Sequence, residues 1–416
     1  MNLLKSVFVA LFALTGMNFA VNQIQILPHV VIPAILLFSC LLLFRNSVLL
    51  GDLPRPIGIF IVVSAVIFII YGSCVLMVER DVRTITNLDF LKLMLRFSVI
   101  SSSFIFGYLQ NWHNRLLRES LSIIGSVCLV YLCFMKIGFG LEDGFVVEKF
   151  HSNQLGIMGV IAVYYGVLFL DGQSSNRTTQ CLLIAGLVAT LVSNSRGCWL
   201  CLLLFFLFLW VQRFMHSVNS LRMLSFPLIV AFSLCVTFIY ATLADSEYFG
   251  RVSEISERMI GKQLDTGRAK LWREAAEDFR ESPWFGHGLY SHDSWTRKFK
   301  DGTVISLSVH NYYWAILHET GIIGMAGILT LFFVIWHAIV LGRDERFSRI
   351  ALAFFGAILI QEISEVQLST GTFTVGTSVW IAIAAGTSLA HGSRQRVFVL
   401  NKSTDNLLPR QGFSLQ

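Results

Sequence analysis

Long apolar runs constrain this chain more than any other feature. Stretches of about 17–22 residues, nearly free of charge, recur along it, and each is long enough to cross a bilayer as a helix. Inside lipid every backbone amide has to be paired within the protein, so such runs fold as helices and bundle. Of the residues, 55% are hydrophobic and 14% charged, against about a quarter charged in a water-soluble globule. Mean hydropathy is +0.66. The expectation is an all-α polytopic membrane protein. The net charge of +6 is modest; in such a protein excess Lys and Arg mostly encode orientation, and nothing points to nucleic acid.

Twelve spans are expected. The first covers Met1 to Ala20, whose lysine, apolar stretch and small-residue end also resemble a signal peptide; the spans that follow at once favour a retained helix. Eight more fall at about 26–44, 57–77, 88–108, 121–138, 155–170, 180–192, 198–211 and 224–243. A long polar stretch interrupts the pattern before the last three, at about 311–340, 348–360 and 374–389. The chain thus divides into nine transmembrane helices (1–243), a long loop (244–309), three further helices (310–391) and a tail (392–416). With the N-terminus inside, the inner connections collect Arg115, Arg118, Arg213, Arg222, Arg343 and Arg346, and the tail adds more. The opposite short loops hold chiefly Arg80, Arg83, Lys149 and Arg196. This bias obeys the positive-inside rule and puts the long loop outside, in the periplasm of a Gram-negative host.

The eight cysteines lie in or beside apolar spans, and none lies in the long loop. Small buried hydrophobes are expected rather than a disulfide framework or a thiol metal site. Within the loop, Asp265-Thr266-Gly267-Arg268 reads as a helix start, with Asp265 or Thr266 able to cap free amides. Leu271, Trp272, Ala275, Ala276 and Phe279 then recur at helical spacing and give one apolar face. Pro283 stops that helix, and Trp284-Phe285-Gly286-His287-Gly288 makes a tight turn. Such an amphipathic helix either lies on the membrane surface or packs over the bundle and covers a site.

Dense charge on a scaffold that avoids charge marks where chemistry belongs. His310 stands where the loop re-enters the membrane, and an imidazole there can serve as a general base. The plainer reading is an interfacial histidine that prefers water. Arg196 lies between two short spans; an arginine at membrane depth either pairs with an anion or snorkels to the headgroups. Arg268 opens the loop helix, where free amides favour an anion and its guanidinium adds bidentate recognition; a solvated loop charge is the alternative. Gly321 and Gly324, in the helix that follows His310-Asn311, are spaced to let another helix approach closely. His318 on that helix is read as structural. The sequence contains neither a phosphate-binding glycine loop nor a zinc-binding His-Glu-x-x-His, and the loop carboxylates are scattered rather than clustered as metal ligands.

The order of these signals resembles the bacterial O-antigen ligase and polymerase superfamily. The resemblance rests on Ser195-Arg196-Gly197, on Thr266-Gly267-Arg268 with Leu271-Trp272, and on Pro283 followed by Gly286-His287-Gly288. It rests also on His310-Asn311 followed by Gly321-Ile322-Ile323-Gly324, which meets the ligase signature of His, then Asn, Ser or Gln, then Gly. What it implies is a GT-C-like membrane glycosyltransferase in the bacterial inner membrane, working at the periplasmic face without metal or cofactor. Its donor would be a polysaccharide on an undecaprenyl (polyisoprenyl) pyrophosphate carrier, and its acceptor a sugar hydroxyl of the lipid A-core. Arg196 and Arg268 would hold the pyrophosphate, and His310 would take the acceptor proton in an inverting displacement. Asn311, Gly321 and Gly324 belong to the motif. A polymerase joining carrier-linked repeat units shares this layout. A lipid-linked sugar transporter is a third reading, with Lys92, Arg96 and Glu362 lining a pathway, although no repeated halves are seen.

Overall fold

The computed structural model describes residues 55–77, 99–110, 112–138, 152–170, 177–214, 219–243, 268–288, 296–298, 304–306, 309–366, 368 and 373–392, with a few isolated positions between 250 and 258. The first two expected spans, Lys92 and Arg96, the expected cap at Asp265–Thr266 and the tail lie outside these residues. The described chain forms α1 (Arg55–Met77), α2 (Val99–Leu109), α3 (Arg115–Gly138), α4 (Ser152–Phe169), α5 (Arg177–Val192) and α6 (Arg196–Phe214). Then come α7 (Asn219–Leu243), α8 (Arg268–Glu281), α9 (Tyr312–Val340), α10 (Glu345–Gln361) and α11 (Phe373–Ala390). Ten of these fall on the third to twelfth expected spans, and α8 is the expected loop helix. One departure from helix is a short antiparallel ribbon in the polar stretch, β1 (Thr296–Lys298) on β2 (Val304–Ser306), with Thr296 opposite Ser306.

Four helices, α3, α6, α7 and α9, are long and apolar enough to cross a membrane, and α1, α2, α4, α5 and α11 contribute shorter apolar stretches. Their faces divide as a lipid-embedded bundle requires. On α6, Leu200, Leu203, Leu207 and Trp210 point outward while Cys198, Cys201 and Phe205 are buried. On α3, Val127, Val130 and Phe134 are exposed opposite buried Leu121, Leu129 and Leu132. α10 is the central post. Its residues from Leu352 to Leu359 are fully enclosed, with Phe354 stacked on Tyr164 of α4 at 4.1 Å and Phe355 edge-on to Phe332 of α9. α4 and α5 approach almost backbone to backbone, because a Cβ on Gly159 would stand 2.7 Å from the Gly186 carbonyl oxygen. Cys128, Cys133, Cys181, Cys198, Cys201 and Cys235 are free thiols.

The alternating helices sort their ends into two groups. One end brings together Arg222 at the start of α7 and Glu345 at the start of α10, 2.7 Å apart. There Asp344 caps α10 and its own amide donates to the Ala390 carbonyl at 2.7 Å. The other end gathers the starts of α4, α6 and α9 with the ends of α3, α5 and α10. The loop helix α8 packs over that end, against α7 and α9. Trp272 of α8 lies on the Tyr240 ring at 4.6 Å and donates from Nε1 to the Val309 carbonyl at 2.8 Å.

Candidate active site

At the loop-covered end the polar groups join into one network with Glu365 at its hub. The turn after α5 places Ser195 before α6, where its Oγ accepts from the Cys198 amide at 3.4 Å and donates to Asn153 Oδ1 at 2.7 Å. The side-chain amide of Asn153, in the first turn of α4, donates to Glu365 Oε1. Arg268, the first residue of α8, donates from Nη1 to the Ser364 carbonyl at 2.6 Å and from Nη2 to Glu365 Oε1 at 3.2 Å. The other carboxylate oxygen, Oε2, faces His310 Nδ1 at 3.8 Å, within ion-pair reach. One carboxylate therefore ties together α4, α8 and the approach to α9.

The turn that carries Arg196 borders this region. A Cβ on Gly197 would stand 3.0 Å from Ser364 Oγ, so the first turn of α6 presses against the segment that holds Arg268. Lys136, near the end of α3, donates from Nζ to the Ser193 carbonyl at 3.0 Å and braces the same turn from the other side. The starts of α4, α6, α8 and α9 all lie at this end, where the amides of helix first turns favour anions.

His310 is held from both sides. Val309 accepts from Trp272, and the Tyr312 amide donates to the Glu362 carbonyl at 2.9 Å. Asn311 is fully buried; its Oδ1 caps α9 by accepting from the Trp314 amide at 3.0 Å, and its Nδ2 donates to Thr237 Oγ1 at 3.3 Å. Between these anchors His310 adopts φ +48, a region that residues other than glycine seldom occupy. Its side chain stays 43% exposed while Glu365 behind it is 10% exposed. Backbone strain of this kind persists only where the surroundings impose it, and it concentrates at functional sites.

The glycine motif does something other than the expected helix contact. Gly321 breaks α9 with φ 62 and ψ −160. A Cβ there would collide with the Trp284 backbone and meet the Phe285 nitrogen at 2.7 Å. What comes close is the loop turn, not a helix. That turn satisfies the opened helix: the His287 and Gly288 amides donate to the His318 and Glu319 carbonyls at 2.7 and 2.9 Å, and the Ile322 and Ile323 amides donate to Pro283 and Trp284 at 2.9 and 3.3 Å. Non-helical backbone at membrane depth needs such protein partners. At Gly324 an added Cβ would meet the Thr320 side chain of its own helix. His318, read from the sequence as structural, is buried, with Nε2 2.9 Å from Asp278 Oδ2 of α8 and its ring stacked on His287 at 5.1 Å.

Sequence reasoning passed over Glu365 and Asn153, and it noticed Glu362 only as a pathway residue. Glu362 is fully enclosed and shapes the turn, its Oε1 accepting from the Leu368 amide at 3.1 Å. The available signal for Glu365 was a second carboxylate three residues on, at the edge of an apolar helix, where ionisable groups are scarce and often functional. Chemically, the cluster offers a partly exposed imidazole backed by a carboxylate, beside an arginine that is itself 27% exposed. Among the described residues no three His, Cys, Asp or Glu side chains stand together as metal ligands would. Residues 181–329 match a family model described as O-antigen ligase. That stretch contains Arg196, Arg268, His310, Gly321 and Gly324, and leaves Asn153 and Glu365 outside it. No curated protein matches the chain.

Proposed function

From the premise that residues 181–329 belong to the O-antigen ligase family, within a multi-pass membrane protein of the ligase and polymerase superfamily, we propose that the chain is an O-antigen ligase. It transfers polysaccharide from an undecaprenyl pyrophosphate carrier to a sugar hydroxyl of the lipid A-core, at the periplasmic face of the bacterial inner membrane. The observation that carries this reading is the shared hub: Arg268 at 3.2 Å and His310 at 3.8 Å from the two oxygens of Glu365.

The chemistry follows from which groups are open. The acceptor hydroxyl oxygen attacks the anomeric carbon while His310 takes its proton, a contribution of about 10²–10⁴-fold. The bond from that carbon to the pyrophosphate oxygen breaks, and its electron pair leaves with the pyrophosphate. Arg268 and Arg196, with nearby helix first turns, hold that growing charge, as preorganised donors do most effectively in a site shielded from water. A guanidinium suits the task because its charge is permanent and its donors are planar and fixed. Glu365 orients Arg268 and faces the imidazole that becomes cationic. Direct displacement inverts the anomeric centre.

The test is complementation. A host lacking its own ligase receives this gene, and its lipopolysaccharide is run on a gel. Restored attachment of long O-antigen to core, abolished by His310→Ala at equal protein level, is the expected result. If attachment fails while a polymerase-deleted host regains a length ladder, the acceptor is a growing polysaccharide instead. Failure in both hosts with the protein present overturns glycosyl transfer and returns the transporter reading.

A further inference from the structure

The lipid-facing side of α9 stops short of the start of the helix. Beyond Gly321 one stripe of side chains is exposed, Ile322, Ala326, Thr330, Phe333, His337 and Leu341, while every residue from Tyr312 to Thr320 is buried. That stripe covers about 28 Å of helix axis, close to the roughly 30 Å of a bilayer's apolar core. Charge resumes at both of its ends, with Glu319 before it and Arg343, Asp344 and Glu345 after it. On the loop-covered side the membrane boundary therefore crosses α9 at Gly321, where the helix breaks. The length of α10 agrees. The Tyr312 amide donates to the Glu362 carbonyl just past the end of α10, yet α9 has 29 residues and α10 has 17. At 1.5 Å per residue α9 is longer by about 18 Å. The two cannot run side by side throughout, so the break at Gly321 turns Tyr312–Thr320 across the bundle, level with the end of α10.

The loop turn sits on that boundary. Its carbonyls at Pro283 and Trp284 accept from the Ile322 and Ile323 amides, and Ser282 Oγ donates to the Gly286 carbonyl at 2.8 Å. Gly286 has φ +70, and a Cβ there would run into the backbone of Glu319 and Thr320. With its backbone pinned to α9 in this way, the turn leaves two aromatic side chains outside, Trp284 at 60% and Phe285 at 37% exposure. They follow closely on exposed Arg280 and Glu281 at the end of α8. Charge gives way to aromatic rings within a few residues, as at a membrane–water interface, where an indole buries its ring and keeps its N–H wet.

We propose that Trp284 and Phe285 anchor the loop turn in the interfacial layer of the bilayer, against phospholipid. Continuity selects this occupant, because Ile322, beside them, opens the lipid-facing stripe of α9. So do the neighbours: a tryptophan that stacks on sugar is flanked by polar groups for the hydroxyls, whereas Trp284 has Phe285 and Ile322. The anchor secures α8. That helix is tied at its first residue, where Arg268 donates to Ser364 and Glu365, and just past its last residue by this turn. Contact with the bilayer thus holds the far end of the helix that covers the site. The assignment concerns phospholipid alone and stands whichever acceptor the enzyme uses.

Two measurements test it. The full-length protein carrying p-benzoylphenylalanine in place of Phe285 is irradiated in phospholipid nanodiscs, and its intact mass is read. Addition of one phospholipid is expected, and none when the probe replaces Glu277, which is exposed on α8. No lipid adduct at Phe285, equal adducts at both positions, or capture of added lipopolysaccharide in place of phospholipid overturns the proposal; the last would make the turn a sugar platform. Second, Trp284→Ser with Phe285→Ser should leave the thermal midpoint in detergent unchanged and speed proteolysis between α8 and α9 several-fold in nanodiscs. Trp284→Tyr, which still suits the interface, should keep the wild-type rate. Equal rates for the double variant and wild type overturn it, as does a tyrosine variant cleaved as fast as the double one. Should the double variant not fold, the cross-link decides.

Discussion

Two arginine–glutamate pairs close opposite ends of the bundle, and they are built in opposite senses. At one end Arg222 meets Glu345 at 2.7 Å, with the arginine 3% and the glutamate 47% exposed. At the other Arg268 meets Glu365 at 3.2 Å, with the arginine 27% and the glutamate 10% exposed. The first seals its cation: Arg222 also accepts Trp336 Nε1 on its carbonyl at 2.9 Å, so the pair clamps α7 to α9 and α10. The second seals its anion, which then holds an arginine and a histidine that solvent can still reach. In a low-charge scaffold the same two residue types make a clamp or a site according to which partner is left open.

The largest effect should come from the group unique to the loop-covered end. His310→Ala is expected to lower transfer by about 10²–10⁴-fold, with the thermal midpoint of the detergent-solubilised protein unchanged. Turnover near wild type would remove the base and with it the functional side of the contrast. Next, Arg268→Lys keeps the charge and loses the planar fork, so kcat should drop by about 10²–10³-fold. The same exchange at Arg222 should lower stability with little change in kcat per folded molecule. Matching responses at the two arginines would break the comparison outright.

The clamp has an asymmetry of its own. Glu345→Ala leaves a sealed guanidinium without its carboxylate and should destabilise by about 3 kcal/mol. Arg222→Met leaves a half-exposed carboxylate that water can take over, at about 1–2 kcal/mol. Chemical denaturation of the two variants reads the order, and a reversal would show that the exposure of Glu345 does not govern the pair. Smaller still, and confined to the loop-covered end, is Gly321→Ala. Its positive φ and the Trp284 backbone against it predict a loss of about 1–3 kcal/mol in the docking of the loop turn. Proteolysis between α8 and α9 should accelerate, while cleavage rates near Glu345 stay as they were.

Much of the architecture was legible before any coordinates. Apolar length placed spans at 198–211 and 224–243, and the structure has α6 over Arg196–Phe214 and α7 over Asn219–Leu243. The period of Leu271, Trp272, Ala275 and Phe279 announced α8, and those residues do face the bundle, Trp272 reaching Val309. Arg196, Arg268 and His310 could be singled out because charge beside apolar spans is scarce. Gly321 was noticed for the right property, its missing side chain, and assigned the wrong neighbour.

What a sequence of this kind determines by itself is everything that acts within one segment: the length that spans a membrane, the period that gives a helix one apolar face, the rarity that makes a charge conspicuous. Tertiary structure alone decided which charges meet and which partner is sealed. Asn153 and Glu365 lie 212 positions apart, and Arg268 and Glu365 lie 97 apart. Glu345 stands in the charged run Arg343–Arg346 and Glu365 three residues after Glu362 at the end of an apolar helix, but neither context says which carboxylate will be sealed. Glu345 is exposed and Glu365 enclosed because of where the starts of α4 and α8 come to rest, and burial is a property of the assembled bundle.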